Sequence, residues 1–315
     1  MMDWKRKTQL IVVFCCNCVL FNFLFGVSFL RAETMSDMKY LVSFNTKRSA
    51  CMAKVNDFPV IDNLTYASGT ISTGFNITSF VENGENSIEI RMGSIDPNDK
   101  NTLYLDSMCQ LTITKDTANS SQEVTSLILS VDKKGNIKAS SSSNYDGLLN
   151  EGRVDESQSA ESKEQDLYRV GRKITLSGLP TWAWVHATPV SENDLPKIRS
   201  AYKEVWSVMK SRDVNMLKKL TVISSKEMGV AEGVSADTIF ESYDLPEKVL
   251  DKNLSLIDLE LEPYKLITYC NGRVFRFWRG IYQISPLKFQ DSDGDFPYSY
   301  NPYFSIIDGK VVIVR

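Results

Sequence analysis

Residues 38 to 138 carry their apolar side chains in short runs, alternating or continuous, and no helical period competes with them. The runs are Lys39-Tyr-Leu-Val-Ser-Phe, Cys51-Met-Ala-Lys-Val, Gly69-Thr-Ile-Ser-Thr-Gly-Phe-Asn-Ile, Ser87-Ile-Glu-Ile-Arg-Met, Leu111-Thr-Ile-Thr and Val124-Thr-Ser-Leu-Ile-Leu-Ser-Val. Asn-Gly, Asp-Pro-Asn-Asp and Lys-Lys-Gly-Asn separate them, residues that take up tight-turn backbone at low cost. Strands of this kind bury one face each, so they must pair and then cover one another. The pattern predicts an antiparallel β-sandwich.

Within that stretch, Lys54-Val-Asn-Asp-Phe-Pro-Val is followed by Phe75-Asn-Ile-Thr-Ser-Phe-Val and by Glu82-Asn-Gly-Glu-Asn-Ser-Ile-Glu-Ile-Arg. This wording resembles the jelly-roll, galactose-binding-like sandwiches that sit beside glycoside hydrolase cores. Asp57 stands where the family hairpin has a glycine. The resemblance covers about fifty residues and implies a strand, a tight turn at Asn83-Gly84 and a buried strand.

Residues 139 to 166 break the pattern. Ser140 to Ser143 form a serine run, and the charged stretch after Glu151 has few apolar anchors, so a mobile segment is expected. Arg172-Lys-Ile-Thr-Leu and Thr181-Trp-Ala-Trp-Val-His-Ala read as a strand pair closing the first domain, which then spans residues 38–190. Beyond it, Ser191-Glu-Asn-Asp-Leu-Pro opens a helix with capping residues and an early proline. Ile198, Tyr202, Val205, Trp206 and Met209 form its apolar face, Asp213 caps a second helix, and residues 235–243 read as a third. After Pro246 the period becomes that of strands, at residues 255–261, 265–269, 273–282 and 303–314, the last two joined by a polar loop.

Helices followed by a curved antiparallel sheet is the order of the NTF2-like (cystatin-like) α+β fold. The passage Ala201-Tyr-Lys-Glu-Val-Trp-Ser-Val-Met-Lys-Ser-Arg-Asp-Val-Asn-Met-Leu-Lys-Lys-Leu resembles that family's opening. Residues 191–315 are therefore expected to be NTF2-like, making the whole chain mainly β plus α+β. That fold hosts enzymes and binding modules alike.

The first 32 residues read as an export signal. Lys5, Arg6 and Lys7 precede a mostly apolar stretch from Leu10 to Leu30, and Ala32-Glu33 is the expected cleavage point. The stretch is nearly long enough to span a bilayer, so an uncleaved inner-membrane anchor stands as the alternative. In either case the rest of the chain is expected on the outer, periplasmic side. Without residues 1–32, which hold Lys5, Arg6, Lys7, Arg31 and Asp3, the chain keeps 32 basic and 38 acidic residues, a net charge of −6. No basic stripe with interleaved aromatics occurs, which argues against nucleic acid. Cys51, Cys109 and Cys270 remain. Cys51 and Cys109 lie in strand-like runs of the first domain and are the expected disulfide in an oxidising compartment, leaving Cys270 free and buried.

His186 is the only histidine. It either acts as a base or, as its apolar neighbours favour, sits on a strand face. With one histidine, Ser-His-Asp and Cys-His triads and most transition-metal sites lose their parts. Asp291, Asp293 and Asp295 look like a calcium loop, but Gly294 and Pro302 stand at the wrong positions for an EF-hand, so a solvated hairpin loop is expected and no metal. Glu260 and Glu262 could share a strand face. No phosphate-cradling loop, nucleophile elbow or HExxH motif is present, and no cofactor is expected.

The aromatic tract Phe296-Pro-Tyr-Ser-Tyr-Asn-Pro-Tyr-Phe remains. A tyrosine-rich loop held by two prolines gives large contact area at low entropy cost, which suits protein or sugar binding. The rings could instead plug the open end of a cone-shaped sheet. Arg273, Arg276 and Arg279 could form an anion site or a strand's solvent face. Phe296, Tyr298, Tyr300, Tyr303, Arg276 and Trp278 are the expected partner-binding residues. The expected function is a non-catalytic periplasmic protein-binding module whose partner is a toxin or an envelope protein, such as an immunity protein. Carbohydrate or cell-wall binding and an enzyme using an NTF2-like pocket are the alternatives.

Overall fold

Along β1 (Met38–Lys47), Tyr40, Val42, Phe44 and Thr46 are buried while their neighbours are not, the period of two that the sequence carries. A computed structural model of the protein describes residues 38–139, 155–158, 167–280 and 282–315. The expected export signal and most of the expected mobile segment lie outside these residues.

Among the described residues the N-terminal region contains ten strands. After β1 come β2 (Ala50–Val55), β3 (Phe58–Asp62), β4 (Ser72–Asn76), β5 (Gly84–Gly93), β6 (Met108–Thr117), β7 (Ser120–Val131), β8 (Ile137–Ala139), β9 (Asp155–Gln158) and β10 (Tyr168–Leu176). They form two antiparallel five-stranded sheets, ordered β4-β1-β6-β7-β8 and β3-β2-β5-β10-β9. Residues 155–158, expected within the mobile segment, are instead an edge strand on β10. Buried side chains from both sheets, among them Phe44, Val55, Ile90, Leu111, Leu129 and Val170, share one apolar cluster. A disulfide between Cys51 in β2 and Cys109 in β6 ties one sheet to the other, with the Cα atoms 6.2 Å apart. Gly69 has a left-handed φ of +59°, and a Cβ there would meet Ser49 N at 2.7 Å, so glycine is required where this loop crosses the β1–β2 turn.

The β7–β8 turn is organised by Asp132, whose carboxylate accepts the amides of Lys134 (2.8 Å) and Asn136 (2.9 Å). The Asn136 amide foremost, then that of Lys134 and the side chain of Lys138, pull its carboxyl from 3.8 down to about 2. A carboxyl depressed on folding supports the turn fully above its unfolded value, and the support is lost as pH falls from about 4 through about 2. Carbon-detected NMR titration should place the Asp132 midpoint near 2, and a midpoint near 4 would disprove the turn's role.

The C-terminal region starts with the capping box of Ser191 and Asp194. Helices α1 (Leu195–Lys210), α2 (Val214–Leu220), α3 (Val222–Glu232), α4 (Ala236–Ser242) and α5 (Leu245–Leu250) follow. Ile198, Tyr202, Val205 and Met209 are the buried face of α1, and Asp213 caps α2 by accepting from Met216 N at 2.9 Å. Helices α3 and α5 are additions to the expected three. The strands are β11 (Ser255–Leu256), β12 (Lys265–Tyr269), β13 (Val274–Trp278), β14 (Leu287–Gln290), β15 (Tyr298–Tyr300), β16 (Phe304–Ile307) and β17 (Lys310–Ile313). They make a sheet β12-β13-β16-β17 and a smaller sheet β11-β14-β15. The run 303–314 is thus a hairpin turning at Asp308-Gly309, and the expected polar loop contains two strands. Among the described residues no helix is long and apolar enough to cross a membrane.

Thr181-Trp-Ala-Trp-Val-His-Ala is not the predicted strand. Val185 N donates to Trp182 O at 3.0 Å and Ala187 N to Trp184 O at 3.1 Å, so the backbone closes on itself as a 3-10 turn, Ala183–His186. The indole N–H groups of Trp182 and Trp184 donate to the carbonyls of Val81 (2.9 Å) and Ser79 (3.3 Å) in the N-terminal region. Around them Phe58, Tyr269, Cys270, Val274 and Val314 form an apolar cluster drawn from both regions. Polar links flank it: Arg273 pairs with Glu82, Arg315 donates to Ser79 O at 2.8 Å and to Glu227 at 2.6 Å, and Cys270 N donates to Asn56 O at 3.2 Å.

Candidate functional site

Strand β13 is buried on both faces from Val274 to Phe277, and Arg276 within it is only 5% exposed. Its guanidinium lies 4.2 Å from the ring centroid of Tyr303, 5.3 Å from that of Trp278 and 5.9 Å from that of Tyr269. Its Nε donates to Tyr269 Oη at 3.2 Å, and Nη2 donates to Gln283 Oε1. Arg276 therefore fills an aromatic cage made by its own chain, a cation–π arrangement that needs no carboxylate. Arg273 is engaged by Glu82 and by the carbonyls of Val185 and Cys270. Neither side chain stands in a cavity as an open anion receptor.

The aromatic tract is divided between interior and surface. Tyr300 is 7% exposed, and Phe304 is buried against Tyr202 and Phe275. Tyr298 is half-buried and donates to Tyr243 O at 2.7 Å. Tyr303 packs edge-on to Phe58 and Tyr269. Burial drives the hydroxyls of Tyr202, Tyr269, Tyr298, Tyr300 and Tyr303 above the ordinary phenol range, so none supplies a phenolate base. Phe296 alone among the six expected contact residues is well exposed, at 54%. The space enclosed by α1 and the sheets is occupied by Tyr202, Phe275, Phe277, Phe289, Tyr300 and Phe304.

The other candidates for chemistry are spread apart. His186 is exposed on its 3-10 turn. Cys270 is buried with a left-handed φ of 52°, and burial pushes its thiol up, away from thiolate chemistry. The Asp291 carboxylate accepts the amides of Asp293 and Asp295, both at 3.0 Å, which uses it as a turn-former in the β14–β15 loop. Among the described residues no group of His, Cys, Asp and Glu is arranged to hold a metal ion. Glu262 pairs with Arg199 at 2.9 Å.

What the surface does offer is a cleft of about 220 Å³ beside the smaller sheet, lined by Ile257, Asp258, Glu260, Tyr264, Arg279 and Lys288 with two prolines. Ile257 N donates to Lys288 O at 3.2 Å, and Trp206 of α1 donates to Ile257 O at 2.7 Å, fixing one wall. Arg279 lies 5.7 Å from the Tyr264 ring centroid, and Lys288 Nζ lies 4.3 Å from that of Phe296. Burial, and then the neighbouring Arg279, lower the affinity of Lys288 for its proton. Tyr264 and Lys288 were not singled out from the sequence. The inward–outward alternation of Leu287-Lys-Phe-Gln was the available signal, masked by the polar residues that follow it. No family model, curated protein or solved structure matches the chain.

Proposed function

We propose that the chain is an exported, non-catalytic protein-binding module that works in the periplasm, and within that class an immunity protein neutralising a toxin delivered there. One observation carries this reading: aromatic rings fill the C-terminal interior, while the surface keeps an open cleft whose Lys288 lies against the exposed ring of Phe296, with Tyr282, 65% exposed, on the turn that Arg279 closes. Large rings fixed by their backbone next to cations have the composition of protein-contact anchors. The helices-then-sheet order supports an NTF2-like assignment for the C-terminal region. The Val55-Asn-Asp-Phe hairpin and the two facing sheets support a galactose-binding-like jelly roll for the N-terminal one. Export rests on Lys5 to Ala32.

The test uses the purified chain as bait against periplasmic extract and candidate envelope-targeted toxins, beside a Phe296→Ala/Tyr282→Ala variant. The expected outcome is a complex that the double variant weakens at least tenfold, about 1.4 kcal/mol or more, with unchanged melting. A turnover number on any substrate, or no complex at all, would overturn the reading.

A second reading, glycan binding, is favoured by the loop end of the N-terminal sheets. There Arg48 stacks 3.5 Å from the ring centroid of Tyr104, and Tyr66 is 55% exposed. An exposed tyrosine ring such as that of Tyr66 can stack on a sugar face. Peptidoglycan pull-down lost on Tyr66→Ala, with Phe296→Ala neutral, would favour it over the first.

A further inference from the structure

The cleft beside the smaller C-terminal sheet holds two cations that its own carboxylates do not engage. Asp258 is shared with Lys210, at 3.8 Å. Among the described residues Arg279 and Lys288 make no ion pair and donate no side-chain hydrogen bond; each instead lies over a ring, Tyr264 and Phe296. That leaves two cations in one cleft that neither of its carboxylates, Asp258 and Glu260, engages.

The backbone under both cations is held in place. Lys288 is the second residue of β14, paired with Ser299 of β15, and its backbone carbonyl is taken by Ile257. Arg279 and Ile284 exchange backbone hydrogen bonds, 3.0 Å each way, closing the turn that carries Tyr282. Charges fixed by a rigid backbone lose less entropy on meeting a ligand than charges on free side chains do.

Size decides what kind of ligand fits. Sites for cofactors and drug-sized molecules run about 300–1,000 Å³, and this cleft has about 220 Å³ and is open on one side. It has room for one side chain with its waters. Arginine presents a fork of donors matched to a carboxylate, lysine adds a point charge, and charge-assisted hydrogen bonds of that kind are roughly twice as strong as neutral ones. The apolar rim of Ile257, Pro263 and Pro286, with Phe296 beside Lys288, partly excludes water from the pair.

We infer that this cleft receives a glutamate or aspartate side chain of the protein partner, its carboxylate held by Arg279 and Lys288 while Phe296 and Tyr282 cover the flanking apolar residues. The assignment rests on the protein-binding reading above and names the partner chemistry at its centre: an acidic residue next to an apolar one, on a protruding loop. An acidic anchor for a chain that is itself acidic also makes the contact selective, because much of the remaining surface repels such a loop.

The experiment has two arms, both with the full chain purified as the cell processes it. In the first, acetyl-Gly-Glu-Phe-Gly-amide and its Gln counterpart are titrated at pH 7 and followed by NMR on Tyr264, Arg279 and Lys288. A single anchored residue is expected to bind with a Kd of about 1 mM, with the Glu peptide at least fivefold tighter than the Gln peptide. The preference should vanish in Arg279→Gln/Lys288→Gln, whose partly exposed side chains can be changed without unfolding the chain. Equal binding of both peptides, or a preference that survives the double variant, overturns the assignment. In the second arm the same variant replaces the wild type as bait. Capture equal to wild type overturns the carboxylate site and leaves protein binding standing. Glu preference without any captured protein leaves the cleft chemistry intact and removes the binding function.

Discussion

Trp184→Ala is expected to destabilise the protein by about 3–5 kcal/mol, the usual cost of deleting a buried aromatic side chain. Trp184 is fully buried, donates to Ser79 O, and packs against Phe58 of the N-terminal region with Arg273 of the C-terminal region over its ring. The cavity would open between elements that belong to different sheets and cannot collapse onto one another without moving a whole region. In urea the midpoint should fall by about 1–2 M if the slope is about 2–3 kcal/mol/M. Because the shared cluster couples the two regions, tryptophan emission and far-UV circular dichroism should shift together. A loss under 1 kcal/mol, or an N-terminal transition that stays where it was, would show that the junction does not carry the fold.

Cys51→Ala/Cys109→Ala should have an effect of similar size. The bond closes a loop across 58 positions, and the chain-entropy relation assigns such a loop about 4 kcal/mol. Alanine is the better replacement than serine, since both positions are fully buried among apolar side chains and a hydroxyl would add an unmet hydrogen bond. Urea unfolding of the variant against the oxidised wild type measures the difference directly. A difference below 1 kcal/mol would mean that contacts between the sheets, and not the cross-link, restrict the chain.

Strand alternation in the N-terminal region was legible because a one-residue slip would turn every side chain to the wrong face. The inward residues of β1, β5 and β7 are the ones the pattern marks. Helix α1 was equally plain, its inward face spelled by Ile198, Tyr202, Val205 and Met209. Helix α3 was not, because its buried residues include Ser224, Ser225, Gly229 and Ala231. They are inside because the helix approaches other backbone closely: a Cβ on Gly229 would lie 2.8 Å from Val234 O. Small residues buried for that reason leave no apolar period to read.

The aromatic tract shows a different limit. Tyr298 and Tyr300 sit on a short strand two residues apart, yet one is half-buried and the other nearly enclosed. Their exposure depends on Tyr243 and Ser285, which approach from elsewhere in the chain. Arg276 is the same case: the strand pattern puts it on a face, and only the meeting of Tyr269, Trp278 and Tyr303 makes that face an acceptable place for a cation. The cleft was hidden because Tyr264, Arg279 and Lys288 come from three separate turns or strands and no local motif links them.

The tryptophan-centred junction also governs how such a chain can change over generations. A segment ending near residue 190 would leave Trp182 and Trp184 without the residues that cover them, so exchanging either half for an unrelated one exposes a sticky surface. Variation is better tolerated at hairpin tips such as Asn119, exposed between β6 and β7. The halves are therefore bound to be inherited together, and relatives should differ in their loops long before they differ in which regions they combine.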